Sequence, residues 1–252
     1  MGIKPTSVHH IAVCTANMKE QIQFFTDVLG MELVGLYWMH GAKGCWHGFL
    51  NVNDNCSLAF VFTPDTPNIE SIDGVTHARN VSNSSAPGTV QHIAFNVATM
   101  EDLLNLRDRI RSKGVNVVGP IDQGMCQSLY FAGPENLTLE VATSEKAISP
   151  ELWIDPKAVK AAGISADDLA RYTSPAPFEG QGGAIKQPKK DYEKPHLDYL
   201  APFGALICKI PDKWIWKVFS FPTAPNEKKE KKAKWWNIFL SLIHISEPTR
   251  PY

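Results

Sequence analysis

One short stretch occurs twice in this chain, and the repetition limits the fold more than any other feature. His9-His10-Ile11-Ala12-Val13-Cys14-Thr15 near the start returns, slightly altered, as Gln91-His92-Ile93-Ala94-Phe95-Asn96-Val97. Both copies are apolar and β-branched enough to read as strands. Each is followed by a methionine, Met18 or Met100, and an amphipathic helix that stops at a glycine, Gly30 or Gly114. An internal repeat of this kind means two copies of one folding unit.

The rest of each copy supports the same reading. After the first helix, Met31–Met39, Cys45–Val52 and Ser57–Phe62 read as three strands, giving the order βαβββ. The second copy runs from strand Val90–Val97 and helix Met100–Gly114 to strands Val115–Val118, Cys126–Ala132 and Leu137–Ala142. The expected organisation is a first module over 6–63, a connecting loop rich in Pro, Asn, Ser and Gly over 64–88, and a second module over 89–145. The fold class is α+β, with paired βαβββ modules and an irregular extension over 146–239.

That extension holds two short helical patterns within Asp155–Ala170, then a Pro-, Gly- and Lys-rich arm over Tyr172–Pro195. An apolar stretch follows over Ala201–Phe221, expected to dock as a strand or short helix. Its Trp and Phe residues need burial, which places the extension across the mouth of the sheet or against a partner subunit. Trp235–Ile245 is too short to span a bilayer. Leu240–Arg250 looks like the in-frame translation of a transposase sequencing adapter, so 240–252 are set apart as an assembly artefact.

Acidic and basic residues nearly balance, 26 against 25, and no basic stripe runs through the modules, so nucleic acid is not an expected partner. Five cysteines without a C-x-x-C pair indicate neither a disulfide framework nor a zinc knuckle. No apolar signal-type run precedes the first strand, and the expectation is a cytoplasmic protein without a membrane anchor.

Strand alternation assigns side chains to faces. His10, Ala12 and Cys14 share one face of the first strand, as His92, Ala94 and Asn96 share one face of the fifth. Thr138, Glu140 and Ala142 take the corresponding face of the last strand. Ala12, Ala59, Ala94 and Ala142 thus form a hollow interrupted by two histidines and a glutamate. A carboxylate in a hollow is costly without a positive partner. Two imidazoles and one carboxylate are the facial triad favoured by non-haem Fe(II) and acceptable to Mn(II). Against this stands the ordinary role of a lone strand histidine as a satisfied structural residue. His9 is an alternative first ligand, on the wrong side of the alternation.

The doubled module, the "HHIAV" and "QHIAF" strands and the ending "SLYFAGPENLTLEVA" resemble the vicinal oxygen chelate superfamily over about residues 6–145. That superfamily includes glyoxalase I, methylmalonyl-CoA epimerase, antibiotic-binding resistance proteins and type I extradiol dioxygenases. The resemblance implies a cup-shaped mixed sheet around one metal, with His10, His92 and Glu140 as ligands. It also implies that Tyr130, ten residues before Glu140, hydrogen-bonds a substrate oxygen. The fourth ligand and base used by glyoxalase and the epimerase falls on Ala59, and a methyl group abstracts no proton.

The extradiol pattern is broken at three places, with Cys56, Gln123 and Gly133 standing where that signature has two histidines and an acidic residue. His47, expected to share the cup face with Phe49, reads either as a proton carrier or as a half-exposed strand residue without a role. The leading expectation is an Fe(II)- or Mn(II)-dependent extradiol-type dioxygenase, taking a small aromatic vicinal diol and O₂ as a homodimer. Phe49, Asn96 and Tyr130 contact the substrate, and Tyr130 and His47 serve catalysis. The alternatives are a glyoxalase-like lyase or isomerase and a non-catalytic small-molecule binder. Ala59 speaks against the former, and the ligand triad against the latter.

Overall fold

A computed structural model describes residues 3–197, 209–222 and 224–227. Residues 198–208 and 240–252, and with them part of the expected apolar stretch and the adapter-like segment, lie outside the described residues. The chain divides into two compact units, Met1–Ala176 and Pro177–Tyr252.

The first unit contains both copies of the repeat. The first copy comprises β1 (His10–Cys14), α1 (Met18–Asp27), β2 (Glu32–Trp38), β3 (Trp46–Asn53) and β4 (Cys56–Phe62). The second comprises β5 (Ile93–Asn96), α2 (Met100–Ser112), β6 (Val117–Asp122), β7 (Gln127–Ala132) and β8 (Thr138–Thr143). Each builds a four-stranded mixed sheet in the same order, β1-β4-β3-β2 and β5-β8-β7-β6. In both, the first strand lies parallel to the last, which is possible because a helix carries the chain across. The two sheets remain separate ladders and do not close into a barrel.

Helix boundaries follow local chemistry. Asn17 caps α1 by accepting from the Glu20 amide at 3.2 Å, and the Glu20 carboxylate accepts in return from the Asn17 side-chain amide at 2.9 Å. Thr99 and Asp102 make the reciprocal capping box on α2. Gly30 and Gly114 end the helical turns with φ of +76° and +78°, the left-handed conformation that favours glycine.

Phe25 of α1 is fully buried against Phe60 of its own module and Phe95 of the other, at ring-centroid distances of 5.3 and 6.3 Å. Leu50, Leu58, Leu103, Ile110, Leu129, Leu139 and Val141 complete one core shared by both copies. Burial of this size supplies the main stabilisation, about 1.5–3 kcal/mol for each large apolar side chain.

No strand hydrogen bonds join the two named sheets, so polar contacts at the two ends of α1 take on unusual weight. At its N-terminus the Glu135 carboxylate, from the turn between β7 and β8, accepts three hydrogen bonds. These come from the Thr15 hydroxyl at 2.5 Å, the Ala16 amide at 2.7 Å and the Gln21 side-chain amide at 2.6 Å. At its C-terminus the Arg109 guanidinium of α2 donates to the carbonyls of Val28, Asp27 and Thr26 at 2.9, 3.2 and 3.4 Å. An anion at the N-terminus and a cation at the C-terminus both match the helix dipole. The second module therefore grips the first by a helix. Gln21, a polar residue at 0% exposure on the buried face, has its side-chain N–H satisfied by the same contact.

Beyond β8 the first unit continues through α3 (Pro150–Trp153), α4 (Pro156–Ala161) and α5 (Ala166–Thr173). The last two match the helical patterns expected there, with Asp155 and Ser165 as caps. The Trp153 ring lies on Gly124 in the turn between β6 and β7, where a Cβ would come within 3.0 Å of it. In the second unit, α6 (Asp212–Phe219) gives the apolar stretch a helical rather than a strand conformation. Among the described residues no helix is long and apolar enough to cross a membrane.

Glu135→Ala is expected to lower the unfolding free energy by about 2–4 kcal/mol, since three hydrogen bonds to one carboxylate are lost together. Urea denaturation of the purified protein measures this, and an unchanged midpoint would show that the Glu135 contacts add nothing to the hold on α1.

Candidate functional site

The second module presents a polar cluster at the start of β5. His92 stands immediately before that strand, and its Nε2 lies 2.9 Å from Oε2 of Glu140 in β8. Glu140 is only 5% exposed. Its register neighbours are Ala94 on one side and Tyr130 on the other. The small Ala94 leaves the carboxylate room, and the tyrosine supplies its only bulky neighbour across the ladder. The Tyr130 ring stands edge-on to His92 at 6.4 Å. Its phenol oxygen accepts a hydrogen bond from the Gln123 side-chain amide at 2.6 Å. Burial pushes the Tyr130 phenol up. Hydrogen bonds with Gln123 and Ser128 pull against that rise, and the neighbouring Glu140 adds to it. Tyr130 therefore keeps its proton and can donate it to an oxygen placed beside Glu140.

The other ring nitrogen of His92 faces the side chain of Gln91. Gln91 donates its amide to the carbonyls of Asn80 and Asn83, at 3.1 and 3.5 Å, so its Oε1 is the atom turned to Nδ1 of His92. An oxygen there demands a proton on Nδ1. In the neutral ring that leaves Nε2 with a lone pair facing a carboxylate oxygen. Such a contact requires either an added proton or a cation between the two atoms. Adjacent ligands of an octahedral ion, each about 2.1 Å from it, stand about 3.0 Å apart, close to the spacing of this pair. The same spacing is that of an imidazolium–carboxylate ion pair, so the distance accommodates either a shared proton or neighbouring positions on a divalent ion.

His10, the third residue of the expected triad, occupies a different setting. It opens β1, the edge strand of the other sheet, opposite Ser57. Its Nδ1 lies 2.9 Å from Nδ1 of His9, and its ring meets Phe49 edge-on at 5.6 Å. Among the described residues, no group of three His, Cys, Asp or Glu side chains comes close enough together to hold a metal ion. Two of the three expected ligands converge; the third stands among aromatics.

Those aromatics form a wall that the sequence reading captured only in part. His47 and Phe49 of β3 do share a face, as the alternation predicted, with ring centroids 5.6 Å apart. Tyr37 of β2, which was not expected in the site, stacks on Phe49 at 6.0 Å with a 12° interplanar angle and meets His47 at 5.9 Å. The period-2 pattern of β2 would have found Tyr37, but the bulge between Leu33 and Gly35 breaks the alternation. Burial, and secondarily the nearby His10, lower the affinity of His47 for protons. Its imidazole is consequently neutral at neutral pH and able to accept one.

Two expectations about the hollow change. Ala59 is fully buried, with Phe49 its cross-strand neighbour in register, while Ala12 and Ala94 remain exposed. The small-residue face is therefore open on the edge strands and covered at β4. Asn96 shares the face of His92 but lies four residues further along β5, about 13 Å at strand spacing, opposite Ala142. Gln123, noted in the sequence only as a departure from a histidine, turns out to hold the phenol of Tyr130.

His47 is expected to titrate below 6.5 in ¹H–¹⁵N spectra of the side chains, and His10→Ala should move it part of the way back. Burial, the larger cause, remains in that variant. Because the folded state disfavours the His47 imidazolium, stability falls as pH drops through this window and is regained above it. A His47 resonance titrating at or above the ordinary value would contradict the arrangement.

Residues 7–141 match the family model described as the Glyoxalase/Bleomycin resistance protein/Dioxygenase superfamily. Among solved structures, an integron cassette protein from the mobile metagenome of the Halifax Harbour sewage outfall is similar at 25% identity. The match covers 55% of this chain and 99% of that one, with a TM-score of 0.40. A glyoxylase/bleomycin resistance protein/dioxygenase domain from Frankia sp. EAN1pec matches at 13% identity, 56% and 100% coverage and TM-score 0.44. A point mutant of the genomically encoded fosfomycin resistance protein of Listeria monocytogenes, solved with Mn(II) and 1S,2S-dihydroxypropylphosphonic acid, matches at 15% identity, 59% and 99% coverage and TM-score 0.40. No curated protein matches the chain.

Proposed function

The chain belongs to the glyoxalase/bleomycin resistance protein/dioxygenase superfamily, a group that includes metalloenzymes, and from that premise we propose that it is a metal-dependent oxygenase of the extradiol type. The substrate class is a small aromatic vicinal diol. The observation that carries this reading is the 2.9 Å approach of Nε2 of His92 to the buried carboxylate of Glu140, which brings two residue types of the expected ligand set together.

His92 and Glu140 would hold Fe(II), or Mn(II) in its place, while His10, the equivalent of His92 in the other copy, stands among aromatics. The chemistry supplied by the ion when bound is chelation of adjacent oxygens and activation of O₂. The residues of the chain do the rest. Tyr130 donates its phenol proton to a substrate oxygen beside Glu140 and so fixes the orientation of the diol. Gln123 keeps that phenol in place. His47, neutral and half-buried, accepts the diol proton, and the stacked pair Tyr37 and Phe49 offers a flat aromatic ring a matching surface.

A second reading, a binding protein of the same fold without catalysis, is favoured by one observation: His10 stands with Phe49 and His47 rather than with His92 and Glu140. One experiment decides between them. Protein purified without chelators is analysed for metal, then loaded anaerobically with Fe(II) and supplied with catechol and O₂. The oxygenase reading expects about one metal per chain and a yellow ring-opened product. Glu140→Gln should weaken metal binding at least about tenfold, since it removes the charged ligand. Aromatic ligand binding without metal would establish the second reading and end the first.

A further inference from the structure

We infer that α6, together with the lysine run that follows it in the sequence, binds the surface of an anionic lipid bilayer. α6 spans Asp212–Phe219. Its Lys213 and Lys217 stand one turn apart on one side, while Trp214, Ile215, Val218 and Phe219 gather on the other, with Trp216 at their border. A helix packed into a core would bury such rings. Here Trp214, Trp216 and Phe219 are 48%, 77% and 42% exposed, and Phe221, just past the helix, is 38% exposed. Large aromatics grouped on one short segment and left in water call for a partner that is apolar on one side and wet on the other.

Charge identifies that partner. Lys228-Lys229-Glu230-Lys231-Lys232-Ala233-Lys234 holds five lysines against one acid, and Trp235, Trp236 and Phe239 come directly after it. A lysine cluster of this size beside an amphipathic helix is drawn to the negative potential of an anionic leaflet. Aromatics on both sides of it suit the headgroup level, where Trp is favoured because its ring is apolar at one end and polar at the other. α6 repeats the arrangement on a smaller scale. Nζ of Lys217 lies over the Trp214 ring, 5.2 Å from its centre. The charge stays at the aromatic border, within reach of phosphate, while its stem covers apolar surface. A nucleic-acid strand would call for rings spread along the charged track, and the lysine run itself contains none.

A chain without a spanning anchor can bind a bilayer in this way. Among the described residues no helix is long and apolar enough to cross, and an interfacial helix needs no such length. Its aromatics enter only about 5–10 Å, to the boundary between headgroups and acyl chains. Attachment of this kind is reversible. Salt loosens it, because the attraction of the lysines is screened over about 8–10 Å at ordinary ionic strength.

The test is sedimentation of the full chain with sucrose-loaded vesicles, made of phosphatidylcholine alone or with about 30% phosphatidylserine. At about 0.1 M salt the chain is expected to bind the anionic vesicles at least about 100-fold better than the neutral ones, and about 0.5 M salt should remove most of that difference. Lys229→Gln, Lys231→Gln and Lys232→Gln combined should cost about 100-fold on anionic vesicles. Trp216→Ala should cost about 5- to 10-fold, and Trp216→Phe should restore most of it. The lysine substitutions lie outside α6, so they report even where Trp216→Ala disturbs the helix. All these variants keep residues 240–252, so a loss does not come from the adapter-like segment. Equal binding to both kinds of vesicle, binding unchanged by either set of substitutions, or no binding to vesicles would overturn the inference. Binding to single-stranded DNA in place of anionic vesicles would also overturn it and assign the lysines to nucleic acid.

Discussion

The two sheets of this protein share a core but no ladder between their named strands, and their relation depends on how α1 is held. Glu135 reaches its N-terminus and Arg109 its C-terminus, each from the second module and each with the sign the helix dipole prefers. Glu135 adopts a φ of +53° and Asn136 a φ of +64° to do so, unusual for residues with a Cβ. Such strain persists where the surroundings over-determine it, and three hydrogen bonds on one carboxylate do that here. Phe25, buried between Phe60 and Phe95, supplies the apolar part of the same junction.

That junction places two chemically different surfaces in one unit. The second module offers a polar line from Gln91 through His92 and Glu140 to Tyr130 and Gln123. The first offers His10, Tyr37, His47 and Phe49, rings packed at 5.6 to 6.0 Å. Duplication explains the division. Copies of one module begin with the same histidine-bearing strand, and each has since been furnished differently. The strand after the β3–β4 turn carries Ala59 where its counterpart carries Glu140, so one copy retains the acid and the other has none.

The alternation of β1, β3, β5 and β8 was enough to put His92 with Glu140 and His47 with Phe49, because side-chain direction in a regular strand depends on parity alone. Where regularity fails, so does the inference. Tyr37 lies past a bulge. Gln123 lies in a turn beside Gly124, whose positive φ and close approach to the Trp153 ring leave no room for a side chain. Glu135 reads in the sequence as an ordinary turn residue, and its three partners lie more than 110 positions away in the chain.

By itself, then, the sequence determined the repeat, the βαβββ order, the faces of the regular strands and the family, all of which follow from local periodicity and from residues a few positions apart. Tertiary structure alone decided three things: that His92 and Glu140 meet while His10 keeps company with aromatics, that Gln123 holds the phenol of Tyr130, and that the modules are joined through a helix. The reason is physical. Parity and capping are properties of neighbouring residues, whereas the distance between two edge strands is a property of how separately formed sheets pack, and no local pattern encodes it.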